Sequence, residues 1–451
     1  MMPKRHYLGL LLLLTLTLLP ACRVDYERED QRRGRVTEKE LDEIVGIMTR
    51  EAALRKDLTI NMDKSSKLCD INLNLTGFEP KSRKLAVLTK DQKEAVIDEE
   101  SFYVCDANTH EELYEGKIYK GKYLDFTQFE EEGFYYIKVG SECSGNFTVT
   151  KGHYSKLLKD RLSEPLKESD PQDEEAALRL MESMTDLLLA FEIFEKSPEK
   201  SLEEEPEAKQ QDTGLINMIS EGANSLLKLY DREGHKAYGI GSGPLSYKYA
   251  AILAMTSSSL KDHDKELSGQ CLETAEELYK ALEKERGKEE LSGDIKDALY
   301  WASAELYKAK GEKKYRRQFE EIAIAKPEGF NLKNSGYFGS LAYLTSTFEV
   351  DLELSASLME NIINDSIESI KKAEDKIFFT PADPEFTEDI TSRMRLVILA
   401  DHISESISYI KSAELYYDYL CGLNISDRKL TAEGKPVIFA IYAFKDSYLG
   451  Q

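Results

Sequence analysis

The chain has 451 residues and a formal net charge of −23, because 83 Asp and Glu side chains outnumber 60 Lys and Arg. This length is sufficient for two domains. So acidic a chain argues against a nucleic-acid partner, since phosphate binding requires a basic surface, and it suits neutral ligands such as sugars.

The N-terminus has the pattern of a secretory signal. Two basic residues precede an apolar run at 8–19, which is too short to span a bilayer because spanning takes about 20 residues. Ala21 and Cys22 follow, and a small residue directly before a cysteine is typical of bacterial lipoprotein processing. We therefore expect residues 1–22 to be a signal peptide and Cys22 to carry the lipid that anchors the protein to a membrane, at the cell surface or envelope. The alternative is a secretory signal with an incidental cysteine.

Residues 23–68 are predicted to form a tether between the anchor and the folded part. The tether is charged and polar except at 38–56, where apolar residues recur on one side at helical spacing. One amphipathic helix is therefore predicted inside the tether.

Short runs of β-forming residues occupy the next part of the chain, between 69 and 152. Turn residues separate these runs, and strands of this length at this spacing predict a small β-sandwich. The predicted strands are 71–75, 84–88, 101–104, 134–139 and 146–149.

Five cysteines remain after Cys22, and none lies in a C-x-x-C spacing. None of the six histidines has a partner at metal-ligand spacing either, so neither a metal nor another cofactor is predicted. Export permits a disulfide, for which Cys105 and Cys143 are the candidate pair. The odd number of cysteines leaves at least one thiol free.

The remainder of the chain, 153–451, shows apolar residues at helical spacing throughout. Many helices joined by short connections predict paired helices that stack into a toroid. The polar, acidic segment 196–212 is predicted as an exposed loop. The eleven predicted helices are 177–194, 214–230, 245–260, 266–285, 294–309, 313–325, 336–348, 351–372, 389–404, 406–421 and 436–447.

Several motifs resemble those of one enzyme family and occur in that family's order. The stretch 71–80 followed by 84–88 is similar to the opening of an immunoglobulin-like domain, and 124–129 to a later strand pair. The stretch 301–307 and the Gly-Leu-Asn segment ending at Asn424 resemble helix segments. Between about 70 and 424 the chain thus resembles family-nine glycoside hydrolases, the cellulases that carry an N-terminal immunoglobulin-like domain. The resemblance implies such a β-sandwich over 69–152, an all-α (α/α)6 toroid over 153–451, and β-1,4-glucan or another polysaccharide as the ligand.

The resemblance also implies candidate catalytic residues. Enzymes of this family are inverting: one carboxylate activates a water while a carboxylic acid protonates the leaving oxygen, the two lying about 6.5–9.5 Å apart. The family carries a D-x-x-D motif ahead of the first long helix, where this chain has Asp170 and Asp173. By carry-over Asp173 is the base and Asp170 helps to hold the water. Glu433, ahead of the last predicted helix, is the candidate acid.

The chain departs from the family both around the D-x-x-D motif and in the segment that would supply the acid. The glycines and aromatics that surround the family's D-x-x-D are absent, and acidic residues at a helix start also cap free amides and complement the helix dipole. The family's His-rich loop is missing, since no His follows Asn424. An alignment in which the catalytic segment is deleted leaves Glu433 as a surface residue. These departures favour a degenerate active site.

Three functions therefore stay open: an inverting β-1,4-glucan hydrolase, a non-catalytic glycan-binding or scaffold lipoprotein, and an interaction protein without a glycan ligand. A glycan site requires aromatic platforms, although most tyrosines at helical spacing are core residues. Trp301 is predicted to be a core residue. The candidate platform residues are Tyr238, Tyr247, Tyr249, Tyr337 and Phe338.

Overall fold

A computed structural model describes residues 71–89, 101–120, 122–157, 174–195, 206–234, 236–237, 240, 243–286, 292–325, 336–376, 384–404, 406–424 and 441. The signal peptide with Cys22 and the predicted tether helix at 38–56 lie outside these residues. So do Cys69 and, apart from Ile441, the last predicted helix. No helix in the described part of the chain is long and apolar enough to cross a membrane.

The N-terminal domain is the predicted β-sandwich, of the immunoglobulin-like type. β4 pairs with β3 along most of its length and with β5 at its end, so it joins the two sheets of the sandwich. The strand order is β1-β2-β5-β4-β3-β6-β7, and β8 pairs with β6. The strands are β1 Ile71–Leu73, β2 Leu85–Leu88, β3 Ser101–Asp106, β4 Glu112–Tyr119, β5 Tyr123–Asp125, β6 Gly133–Val139, β7 Glu142–Cys143 and β8 Phe147–Val149.

Buried and more exposed residues alternate along the strands, and the buried ones form the core of this domain. In β6 every second residue from Tyr135 to Val139 is buried, which is the pattern of a strand with one face on a core. Phe78, Phe126 and Phe147 contact one another with ring centroids 5.4–5.6 Å apart. These aromatic contacts fill the space between the two sheets.

The candidate disulfide between Cys105 and Cys143 is not formed, and both thiols are free. Cys105 on β3 is in register with Tyr136 of β6, whereas Cys143 on β7 is in register with Lys138 of β6. Because β6 lies between them, the two cysteines are two strand spacings apart, about 9–10 Å. A disulfide requires Cα atoms within about 7 Å.

Helices that alternate between an inner and an outer ring form the second domain, an (α/α)6 toroid. In α3, 13 of 17 residues are buried, whereas in α6 only four of 13 are buried, at positions 315, 319, 322 and 323. The described helices are α1 Glu174–Ala190, α2 Pro206–Lys228, α3 Pro244–Leu260, α4 Lys265–Arg286, α5 Gly293–Lys310, α6 Lys313–Ala325, α7 Gly336–Leu344, α8 Leu352–Lys376, α9 Pro384–Ser404 and α10 Ile407–Leu420. A π-helical turn, Phe191–Glu195, continues α1, and a small hairpin of β9 Tyr230–Asp231 and β10 Lys236–Ala237 follows α2.

The odd-numbered helices form the inner ring. α3 packs against α5, and α5 against α7, while α4 covers α3 and α6 covers α5. An ion pair from Asp186 to Arg395 links α1 to α9. Because the chain reverses at each connection, the inner helices run parallel and begin on one face of the toroid. That face is the end at which Glu174 starts α1.

One predicted loop is partly wrong. The segment 196–212 contains the start of α2, which begins at Pro206. Proline is well suited to the first position of a helix because its missing N–H would have no helical partner there. The polar residues that follow belong to the first turns of α2.

Candidate functional site

The three candidate catalytic residues, Asp170, Asp173 and Glu433, lie outside the described residues. The structure therefore leaves their convergence in one cleft as a prediction. It does describe the element that follows the D-x-x-D motif. Inner helix α1 begins at Glu174, the residue after Asp173, on the face of the toroid where the inner helices begin.

The candidate platform tyrosines near this face are buried. Tyr247 is 2% exposed, Tyr249 0% and Tyr337 6%. Tyr247 on α3 donates a hydrogen bond to Glu283 of α4 over 2.9 Å. Tyr249, also on α3, donates to the Leu226 carbonyl of α2 over 2.5 Å.

The same geometry recurs on α7. The Tyr337 hydroxyl donates to Asp365 of α8, and burial raises the pKa of Tyr337 well above its usual range, so the hydroxyl stays protonated as a donor. Each of the three tyrosines thus ties an inner helix to an outer helix. None of them is an open platform for a sugar ring, and Tyr238 lies outside the described residues.

Trp301 is a core residue, as predicted. Its side chain is 2% exposed, and its indole Nε1 donates to Glu305 Oε1 over 3.0 Å within α5. Phe338 of α7 packs against the indole with ring centroids 5.2 Å apart. The indole is therefore occupied by neighbours from α5 and α7.

An ion pair between a buried aspartate and a partly buried arginine joins the inner helices α1 and α9. Asp186 is 0% exposed, and its Oδ1 accepts hydrogen bonds from Arg395 Nε at 2.9 Å and Nη2 at 2.7 Å. The pair was missed in the sequence because its members are 209 residues apart. The only local signal is an aspartate directly ahead of the apolar run 187–191.

A second polar cluster lies where the inner helices end. Glu192 follows α1 and accepts hydrogen bonds from Lys308 near the end of α5 and from Thr345 after α7, the latter over 2.8 Å. Lys308 also donates to Thr345 over 2.8 Å. A lysine at this end complements the negative ends of the helix dipoles. The cluster therefore ties the ends of α1 and α5 to the segment that follows α7.

In the described ranges, no group of three or more His, Cys, Asp or Glu side chains is placed to hold a metal ion. The buried polar residues described above bond to one another or to the backbone. These bonds hold the helices together.

Comparisons with known proteins identify both domains. A family model described as "Glycosyl hydrolase family 9" matches residues 183–430, which is more than half of the chain. A model described as "Cellulase N-terminal ig-like domain" matches residues 69–144. The first match begins after Asp170 and Asp173 and ends before Glu433, so all three candidate catalytic residues lie outside it. No curated protein sequence matches the chain.

Solved structures of the same family share the fold. A family-nine glycoside hydrolase of Bacteroides ovatus has a TM-score of 0.58 at 16% identity, covering 79% of this chain and 85% of its own. A thermostable endoglucanase from Alicyclobacillus acidocaldarius has a TM-score of 0.60 at 16% identity, covering 80% of this chain and 83% of its own. A metagenome-derived family-nine endoglucanase has a TM-score of 0.63 at 16% identity, covering 80% of this chain and 84% of its own. At this identity the likeness concerns the fold.

Proposed function

Because the chain belongs to glycosyl hydrolase family 9 and carries that family's cellulase-type immunoglobulin-like domain, we propose that it binds β-1,4-linked glucans. From the predicted signal peptide at 1–22 we also propose that it is an exported, membrane-anchored lipoprotein. Its catalytic site is degenerate and releases little or no sugar. The two endoglucanases among the similar structures support glucan as the ligand class.

One observation supports the proposal that the catalytic site is degenerate: the family match spans 183–430 and omits Asp170, Asp173 and Glu433. The match therefore covers the helices, whereas the candidate acid and base lie in segments outside it.

A second candidate is retained hydrolysis, which the position of the D-x-x-D motif favours. Asp173 directly precedes inner helix α1, and the positive end of a helix dipole stabilises an ionised carboxylate. An ionised Asp173 is the form needed to take a proton from water as that water attacks the anomeric carbon. Glu433 would then donate its proton to the leaving oxygen, at a carboxyl separation of about 6.5–9.5 Å.

Reducing-sugar release separates the two candidates. The full-length protein is incubated with soluble and amorphous β-1,4-glucans beside two variants, Asp173→Asn and Glu433→Gln. A degenerate site predicts no release above the level of either variant. Release by the wild type that Asp173→Asn abolishes would establish the hydrolase and refute degeneracy, because general-acid or general-base removal costs about 10²–10⁴-fold.

A further inference from the structure

An apolar stripe runs along one side of α8, apart from the side that this helix buries in the toroid. The buried side includes Leu358 and Ile362, which belong to the toroid core. The stripe residues are three or four positions apart, so they share one face of the helix. Its two end residues are 55% and 40% exposed, and the three between them are half-buried. The α8 stripe consists of Leu352, Ala356, Met359, Ile363 and Ile367.

The predicted tether helix at 38–56 carries an apolar side with the same spacing. When this helix is laid antiparallel on α8 with Met48 opposite Met359, four of its apolar residues each fall within one position of a member of the α8 stripe. The two rows therefore match over about three helical turns and can pack against each other in layers. The four residues are Leu41, Val45, Met48 and Ala52, opposite Ile367, Ile363, Met359 and Ala356.

The charges of the two helices are complementary in the same arrangement. The first half of the tether helix, 38–47, holds four acidic residues and one basic residue, whereas 48–56 holds one acidic and three basic. On α8, 352–368 holds four acidic residues and no basic one, whereas 369–376 holds two acidic and three basic. Antiparallel packing thus brings net charges of opposite sign together at both ends. Parallel packing would bring like signs together, which disfavours it.

The chain between the tether helix and the sandwich is long enough for this packing. β1 begins beside the end of α10, where the Leu75 N–H donates to the Cys421 carbonyl over 2.9 Å. α8 packs against α10, and the two run in the same direction because α9 reverses the chain between them. The docked tether helix ends at the start of α8, a helix of 25 residues, and is therefore about 37 Å from that point along the helix axis. Residues 57–70 reach about 46–50 Å when extended.

A second copy of the chain suits the α8 stripe less well. Two stripes that meet about a two-fold axis align with Leu352 opposite Ile367. This alignment brings the two Glu360 side chains, which are exposed, together at the axis. Like charges that face each other across an interface oppose association.

We propose that the tether helix at 38–56 docks antiparallel on the α8 stripe. Docking leaves residues 23–37 as the free part of the tether, with a reach of about 50 Å. The end of α8 that carries Lys371 then lies nearest the membrane, because Glu38 begins the docked helix. This orientation rests on the proposed lipid anchor at Cys22, whereas the docking itself does not.

Methionine oxidation on the full-length protein tests the docking. The rate at which hydrogen peroxide converts Met359 to its sulfoxide follows the exposure of the side chain and is read by mass spectrometry. Val45→Asp places a carboxylate in the apolar contact, so we expect it to release the tether helix and to increase the oxidation rate of Met359 several-fold. Met184, which is 0% exposed, is the internal reference and should stay slow in both proteins.

The matched control is Gly46→Asp, which adds the same carboxylate one position further, on the polar side of the tether helix, and should behave as the wild type does. Equal oxidation of Met359 in the wild type and in Val45→Asp would overturn the proposal. So would an equal increase in Gly46→Asp, because the effect would then not come from the apolar side.

The reciprocal variant changes α8. Ile363→Asp should increase the oxidation rate of Met48 on the tether helix, whereas Asn364→Asp, which adds the carboxylate at the next, exposed position, should not. Both rates are measured at two protein concentrations, because docking within one chain is independent of concentration. Protection of Met359 that grows with concentration would overturn the proposal in favour of a second copy of the chain as the occupant.

Discussion

Single residues in the toroid core show how closely the inner helices approach. Gly339 of α7 has no room for a side chain, because a Cβ built on it would lie 2.5 Å from the Tyr300 ring and 3.0 Å from the Trp301 backbone. Gly269 of α4 faces open space, with nothing within 4 Å of the same position. The two glycines therefore form a matched pair for substitution.

Gly339→Ala should destabilise the protein by about 1–3 kcal/mol, since the added methyl group forces α5 and α7 apart. Gly269→Ala should leave stability unchanged or raise it by up to about 1 kcal/mol, because alanine favours the helix and meets no neighbour. Urea denaturation followed by circular dichroism measures both. Equal effects of the two substitutions would show that α5 and α7 are not in the close contact described.

At the same scale, the sequence reveals some buried residues and hides others. Trp301 could be assigned to the core because its neighbours have helical spacing, and it is 2% exposed. The pairing of Asp186 with Arg395 could not, since it joins residues 209 positions apart. An isolated polar residue in an apolar run signals that a partner exists without saying which residue it is.

Secondary-structure elements with a strong local pattern were predicted closely. α6 spans Lys313–Ala325, as predicted, because its buried residues recur at helical spacing on one side. β4 was missed. Within Glu112–Tyr119 only Gly116 is fully buried, so the segment has no clear alternation of apolar and polar residues.

Non-local pairing defines β4. It is a strand because β3 and β5 pair with it on either side, and Gly116 leaves space for the Phe102 ring. The candidate site is limited in the same way. The sequence identifies a D-x-x-D motif ahead of a helix, and α1 does begin directly after Asp173. Whether two carboxylates face one sugar depends on contacts between distant segments, which local patterns do not contain.

For the whole molecule, anchoring is a prediction from the signal sequence. Cys22→Ser should move the protein from the membrane fraction to the soluble exported fraction, because the acyl chains supply the attachment. Cys143→Ser is the control, since it changes an exposed cysteine of the sandwich and should leave the protein on the membrane. Membrane association that survives Cys22→Ser would refute the lipid anchor.

We propose that the protein keeps a family-nine toroid for binding without catalysis. The inner and outer helices are tied by buried tyrosines such as Tyr249. The sandwich is held to α10 by Arg83 and Asp418. This scaffold extends through the matched region 183–430, which excludes the candidate acid and base.

Binding of glucan is the claim on which the proposed function depends most. Titration calorimetry of the full-length protein with a soluble β-1,4-linked gluco-oligosaccharide measures it directly, with an α-1,4-linked oligosaccharide of equal length as the control. We predict saturable binding of the β-linked chain with a Kd of about 1 mM or tighter, equivalent to about −4 kcal/mol, and none of the α-linked chain. The absence of binding to either oligosaccharide, or equal binding to both, would contradict a β-1,4-glucan ligand.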